Sequence, residues 1–344
     1  MITKVSTELM DHFSHKSSVN EYLKSAYIKE LYNNTITNSY VNSNVKTKNS
    51  FRDYPLSEFI TNRLANKIIT HDNVLTLTWT TKGNHIVKNT LHIYLKDNDD
   101  IPDTKLLVDA ISYITSFSDK SRSITVHLCL LPDKKVFRKN SRELTPSNVN
   151  SGSNLFSDKN SEICIFRREE CIKVIFHEII HGLRFSNLGS HKEITERLCQ
   201  KYNLESRDIL IDESYTEIWA KLMNCYFVSS RVNSQFKFQH FCTLVAIEKE
   251  FTLYQANKIK GFVKKSRNKN IDSQTNTTAY YLVCGEIFSQ LDEFLMNCHF
   301  NPYLRDHPKC LEYLYHLNIL DKRKVSTDDK YYNTLRMSAI ELEV

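Results

Sequence analysis

One segment constrains this chain more than any other. From Cys171 to Leu183 it reads Cys-Ile-Lys-Val-Ile-Phe-His-Glu-Ile-Ile-His-Gly-Leu. The apolar residues predict a buried helix, and Glu178 is the one charged residue between Val174 and Leu183. A buried ion needs a partner or a metal, because leaving it unpaired costs several kcal/mol. His177 and His181 are four apart, so on a helix they share a face and can reach one cation. Glu178 projects about 100° away from His177, where it can deprotonate a metal-bound water. With 13 His and 21 Glu in 344 residues, chance alone gives about 0.03 matches to His-Glu-x-x-His.

A catalytic zinc takes three protein ligands and keeps one position open. The longer pattern with a glycine and a third histidine downstream fails, because Arg184 and Asn187 stand at those positions, and His191 is off the pattern. The better source is Asp212-Glu213-Ser214-Tyr215-Thr216-Glu217, opening a predicted helix. Glu213 and Glu217 share one face of it. One can ligate the metal while the other accepts the free N–H of a ligand histidine. Two acids at a helix start also complement its dipole, so the spacing alone does not assign the roles.

The surrounding pattern predicts an α+β chain with the sheet first and the helices after. Val74–Thr80 and Ile86–Leu95 alternate around Lys82-Gly83-Asn84, a β-hairpin signal. A helix is expected over 103–117 with Asp103 as N-cap, then a strand over 123–131. Residues 132–160 read as a long loop and 162–167 as an edge strand. Before the hairpin, helices are expected at 18–32 and 55–69 with a loop at 33–50. After it, helices are expected at 168–186, 191–203, 212–229, 234–264, 277–298, 303–318 and 327–341. The expected segments are a polar extension (1–70), the sheet with the His-Glu helix (71–190), a helical part carrying the third ligand (191–300) and a helical extension (301–344).

Composition narrows the function classes. The net charge of +6 on 86 charged residues is mild, and Lys264, Lys265, Arg267 and Lys269 form the densest basic cluster, so nucleic acid is not an expected partner. Nine Cys without a Cys-x-x-Cys pair predict buried thiols in a reducing compartment. No apolar window is long enough for a membrane span and no signal peptide is read, so an intracellular protein without a membrane partner is expected. The chain has 30 Asn against 8 Ala and only 6 Gly, an AT-rich-genome composition. Gly182, just after the second histidine, is therefore expected to mark close packing near the metal, since Gly inside a helix costs about 1 kcal/mol relative to Ala.

The run Val174–Leu183 resembles the extended zincin signature at every position. The Glu213-x-x-x-Glu217 element resembles the glutamate helix of gluzincins, the thermolysin-like zinc metallopeptidases. Leu144–Gly152 and Ile165–Glu170, followed by the motif, resemble metallopeptidases predicted in giant DNA viruses. The resemblance implies a zincin-like fold over about 100–300 and hydrolysis of peptide bonds in a protein or peptide substrate. It implies Zn2+ held by His177, His181 and Glu213, with Glu178 as general base and Glu217 orienting a histidine. It also implies a downstream Tyr or His for the oxyanion. Tyr280 and Tyr281 are the candidates, with Tyr281 preferred, and Tyr215 is another. Asp212 and Glu217 depart from the usual Asn and Asp. A catalytically silent zincin-fold structural or interaction protein, virion-associated if the chain is viral, is the alternative reading.

Overall fold

The computed structural model describes residues 1–36, 40–51, 53–56, 60–96, 100–137, 144–157, 159–185, 191–204, 209–231, 235–265, 275–298, 308–317 and 323–344. The elements run α1 (Lys4–Ser14), α2 (Val19–Lys24), α3 (Ala26–Ile36), β1 (Val41–Asn42), β2 (Lys46–Phe51), α4 (Asn62–Ile68), β3 (Asn73–Lys82), β4 (Ile86–Leu95), α5 (Thr104–Thr115) and β5 (Arg122–Leu128). They continue with α6 (Pro146–Val149), β6 (Gly152–Phe156), β7 (Asn160–Ile165), α7 (Cys171–Leu183), α8 (Lys192–Tyr202), α9 (Ile211–Ser230) and α10 (Lys237–Lys265). A π-helical turn (Thr278–Val283) then leads into α11 (Cys284–Ser289), α12 (Leu291–Asn297) and α13 (Pro308–Tyr315). The chain is α+β, with a mixed sheet of seven strands among the described residues and helices before, between and after them.

The sheet order is β1-β3-β4-β5-β7-β6, with β2 also paired to β3. The expected hairpin forms β3 and β4, paired from Asn73↔Leu95 to Lys82↔Ile86. Helix α5 then crosses over, and β5 returns parallel to β4. Its start is fixed as expected, since the Asp103 side chain accepts from the Leu106 N–H. Alternation splits the strands between two layers. Ile124, Val126, Leu128, Ile163 and Ile165 face the main core, which extends from Leu9 and Phe13 of α1 to Trp219 of α9 and Leu335. Tyr94, Cys129 and Cys164 face the other way, against Leu64 and Ile68 of α4. All nine cysteines are buried free thiols, as expected.

The single helix expected over 18–32 divides into α2 and α3, and three further expectations change. Strand β7 (the expected edge strand 162–167) is not an edge: β5 pairs with it on one side in parallel, and β6 on the other in antiparallel register. The true edge is β6, inside the expected loop 132–160. Its sequence, Gly-Ser-Asn-Leu-Phe, has weak strand propensity, so pairing with β7 decides its conformation. Polar β2 (Lys-Thr-Lys-Asn-Ser-Phe) is likewise a strand because β3 templates it. Third, no helix forms over 327–341. Residues 334–341 instead run as an irregular strap whose backbone groups are met by side chains. Gln255 donates to Arg336 O (2.8 Å), Asn224 donates to Ile340 O (3.1 Å), and the Ala339 N–H donates to Glu248 (3.0 Å). Among the described residues no helix is long and apolar enough to cross a membrane. Arg267 and Lys269 of the basic cluster lie outside the described residues.

Candidate metal centre

Helix α7 lies against β6, β7, α5 and α9, and its apolar faces explain why it is buried along nearly its whole length. Glycine makes the closest approach possible. A Cβ on Gly182 would meet Ser161 Oγ at 2.6 Å and Asn154 Nδ2 at 3.2 Å. Close packing is present at Gly182, but its nearest neighbours are Ser161 and Asn154 of the sheet and not the residues of the expected metal site. Asn154 of β6 also donates to the Glu178 carbonyl at 2.7 Å, which ties the edge strand to the helix.

About 100° around α7 from Gly182 and Glu178, His177 and His181 meet Glu213 from the first turn of α9. Glu213 Oε2 is 3.2 Å from His177 Nε2 and 3.1 Å from His181 Nε2, and the two Nε2 atoms are 3.2 Å apart. His177 Nδ1 bonds Glu217 Oε2 at 2.9 Å. With Nδ1 directed at Glu217, Nε2 of His177 points at a carboxylate oxygen and another imidazole nitrogen. Such an arrangement calls for a cation among the three atoms. Bonds of about 2.0–2.1 Å in a tetrahedral zinc site place ligand atoms about 3.3 Å apart, so the observed 3.1–3.2 Å spacings fit. Among the described residues this is the one group of three His, Cys, Asp or Glu side chains so convergent.

The electrostatics agree with a cation site. For His177, burial opposes the charged ring, but the hydrogen bonds to Glu213 and Glu217 outweigh it and raise its pKa to about 9. Glu213 is also penalised by burial, yet the two histidines pull its carboxyl well below the usual range. Glu217, fully buried, is lowered by Lys173 and by its bond to His177. Lys173 Nζ lies 2.8 and 2.9 Å from the two Glu217 oxygens. Glu178 differs: burial raises its pKa, and His177 and His181 only partly offset this. A carboxyl raised in this way suits proton transfer.

Glu178 stands beside Gly152, His177 and Tyr280 around a cavity of about 30 Å³, enough for one or two waters. The structure brings together five of the six expected site residues: His177, Glu178, His181, Glu213 and Glu217. The sixth is corrected. Tyr281 is buried away from the cluster and donates to Leu335 O at 2.6 Å. Its neighbour Tyr280 reaches the site instead, donating to Glu213 Oε2 at 3.0 Å with its ring 5.7 Å from that of His177. Adjacent residues on a helix point about 100° apart, and the π-helical turn, of the kind often found at functional sites, sets which one faces inward. Tyr215 is also core, packed on Phe294 at 5.8 Å. Sequence reasoning missed Lys173, Gly152 and Asn154. Lys173 had a visible signal: a lysine four residues before His177 in an apolar helix.

A larger open groove of about 770 Å³ lies on the other face of the sheet, lined by Thr76, Thr78, His92, Thr125 and Glu162. Its hydroxyls are the exposed alternate positions of an open sheet. No known protein-family model, curated protein or solved structure matches this chain.

Proposed function

We propose that the chain is a zinc-dependent metallopeptidase of zincin-like fold, resembling gluzincins. The observation that carries this reading is the convergence of His177, His181 and Glu213 within 3.2 Å of one another, with Glu178 adjoining. The donor set of two imidazoles and one carboxylate is that of a catalytic zinc site with an open fourth position. When bound, zinc would lower the pKa of a water to near 7 and polarise the scissile carbonyl.

The chain's own residues account for the remaining work. Glu178 takes a proton from the attacking water and hands it to the leaving amine. Glu217 holds His177 with Nε2 towards the ligand position. Tyr280, whose hydroxyl already reaches Glu213, can turn to donate to the oxyanion. Strand β6 supports a peptide substrate, because its outer edge has no partner strand among the described residues and an extended peptide can add there by main-chain hydrogen bonds. Gly152 in that strand brings the edge beside Glu178.

Elemental analysis of freshly purified protein tests the metal: about one zinc per chain is expected, and none in His177→Ala or His181→Ala. A peptide-library digest with and without chelator then tests the activity. Zinc without chelator-sensitive cleavage would favour a silent scaffold instead.

A further inference from the structure

We infer that Lys173 is a positioning residue for the metal site: it brackets Glu217 so that His177 presents Nε2 to Glu213 and His181. The inference rests on the proposed metal centre. Lys173 is one helical turn before His177, hence on the same face of α7. It is 2% exposed and Glu217 is 0% exposed. Its ammonium spans both Glu217 oxygens at 2.8 and 2.9 Å, and the Met337 sulfur is 3.7 Å away. Of the two carboxylate oxygens, Oε2 also takes the His177 Nδ1 bond.

Stability alone gives no reason for a lysine here. Replacing both partners of a buried ion pair with apolar residues is often neutral or stabilising, and α7 is apolar apart from Lys173 and the His177-Glu178-x-x-His181 motif. Geometry does give a reason. Lys221 lies 3.9 Å from Glu217 Oε1 on the side of Glu248. Without Lys173, the carboxylate can turn towards Lys221 and release Nδ1 of His177. The imidazole then loses the partner that fixes its ring and tautomer, and outer partners of this kind are worth 10–100-fold in metal affinity.

The test measures zinc affinity by competition with a chromogenic chelator, in protein whose circular dichroism matches wild type. Lys173→Met should weaken zinc binding by about 10–100-fold. Lys173→Gln, which can donate one hydrogen bond but cannot bracket both oxygens, keeps the test readable where the Met variant does not fold, and should weaken binding in the same direction. In a background of Glu217→Gln, Lys173→Met should add little, because the two act through one path. Nitrogen-15 NMR of zinc-free protein gives a readout independent of the metal. The His177 Nδ1–H should give a downfield, exchange-protected signal hydrogen-bonded to Glu217 in wild type, and that signal should be lost or averaged with solvent in the variant. Affinity within twofold of wild type, additive losses with Glu217→Gln, or an unchanged His177 Nδ1–H signal would overturn the inference. Failure of wild type itself to bind zinc would overturn the metal-site reading instead, and the NMR comparison would still decide the role of Lys173.

Discussion

Gly152→Ala separates the chemistry of the site from the stability of the fold. A Cβ at residue 152 would meet Glu178 Oε1 at 2.8 Å, Glu178 Cγ at 3.0 Å and Val174 Cγ1 at 3.1 Å. The glycine is not at positive φ, so alanine meets no backbone strain. It also restricts the unfolded chain, which favours folding by about 0.4–1 kcal/mol. The tightest contact is the end of a flexible side chain, which must retreat by about 0.6 Å to reach ordinary van der Waals distance. That movement costs little in folding, but the displaced group is the proposed general base. A misplacement of this order costs about 100-fold in rate, or about 2.7 kcal/mol in the barrier. The three atoms nearest the new methyl belong to Glu178 and Val174 and not to a proposed ligand, so zinc content should hold. The assay is kcat/KM on a cleaved peptide beside a thermal melt and zinc analysis. We expect stability within about 1 kcal/mol of wild type, full zinc and the 100-fold loss. Wild-type turnover would refute the placement of Glu178 as base, and equal loss of folding and zinc would show that Gly152 serves packing alone.

Other outcomes follow from the same geometry. Glu178→Gln should keep its zinc and lose about 10²–10⁴-fold in kcat, measured by peptide hydrolysis. Tyr280→Phe should lower kcat by about 10²–10³-fold with folding intact. Tyr281→Phe should spare kcat and cost about 1 kcal/mol in a denaturant melt, through its bond to Leu335. The reverse pattern would restore Tyr281 as the oxyanion donor. Lys258 is 2% exposed, held by Thr334 O and ringed by Phe137, Tyr254 and Tyr332. Burial lowers its pKa from 10.5 to about 7, with Asp329 opposing. The unfolded chain therefore binds more protons between those values, so this group makes stability rise with pH from about 7 to about 10.5. Lys258→Met should flatten that slope in melts across the range.

How far the sequence reached depended on whether a signal was local. The hairpin, α5 with its Asp103 cap and the long apolar helices carry periodicity or turn chemistry within a few residues, and they form near the expected limits. The expected single helix over 18–32 divides at Ser25, whose hydroxyl binds Asp292 from a distant part of the chain. Strand β6 and the strap at 334–341 have no such local signal. Their backbone groups find partners far away in sequence, β7 for the one and Glu170, Glu248, Asn224 and Gln255 for the other.

At the site the same division holds. The four-residue spacing of His177 and His181, and of Glu213 and Glu217, sets which side chains share a helical face before any folding is considered. The sequence by itself determined those pairs and the place of Glu178 between the histidines. Only the tertiary structure decided that α7 and α9 cross where Glu213 meets both imidazoles, that Glu217 takes Nδ1 of His177, and that Tyr280 rather than Tyr281 faces them. Helix rotation about its own axis and the choice of neighbour are fixed by packing between segments 32 or more residues apart, and no periodicity within one segment encodes them.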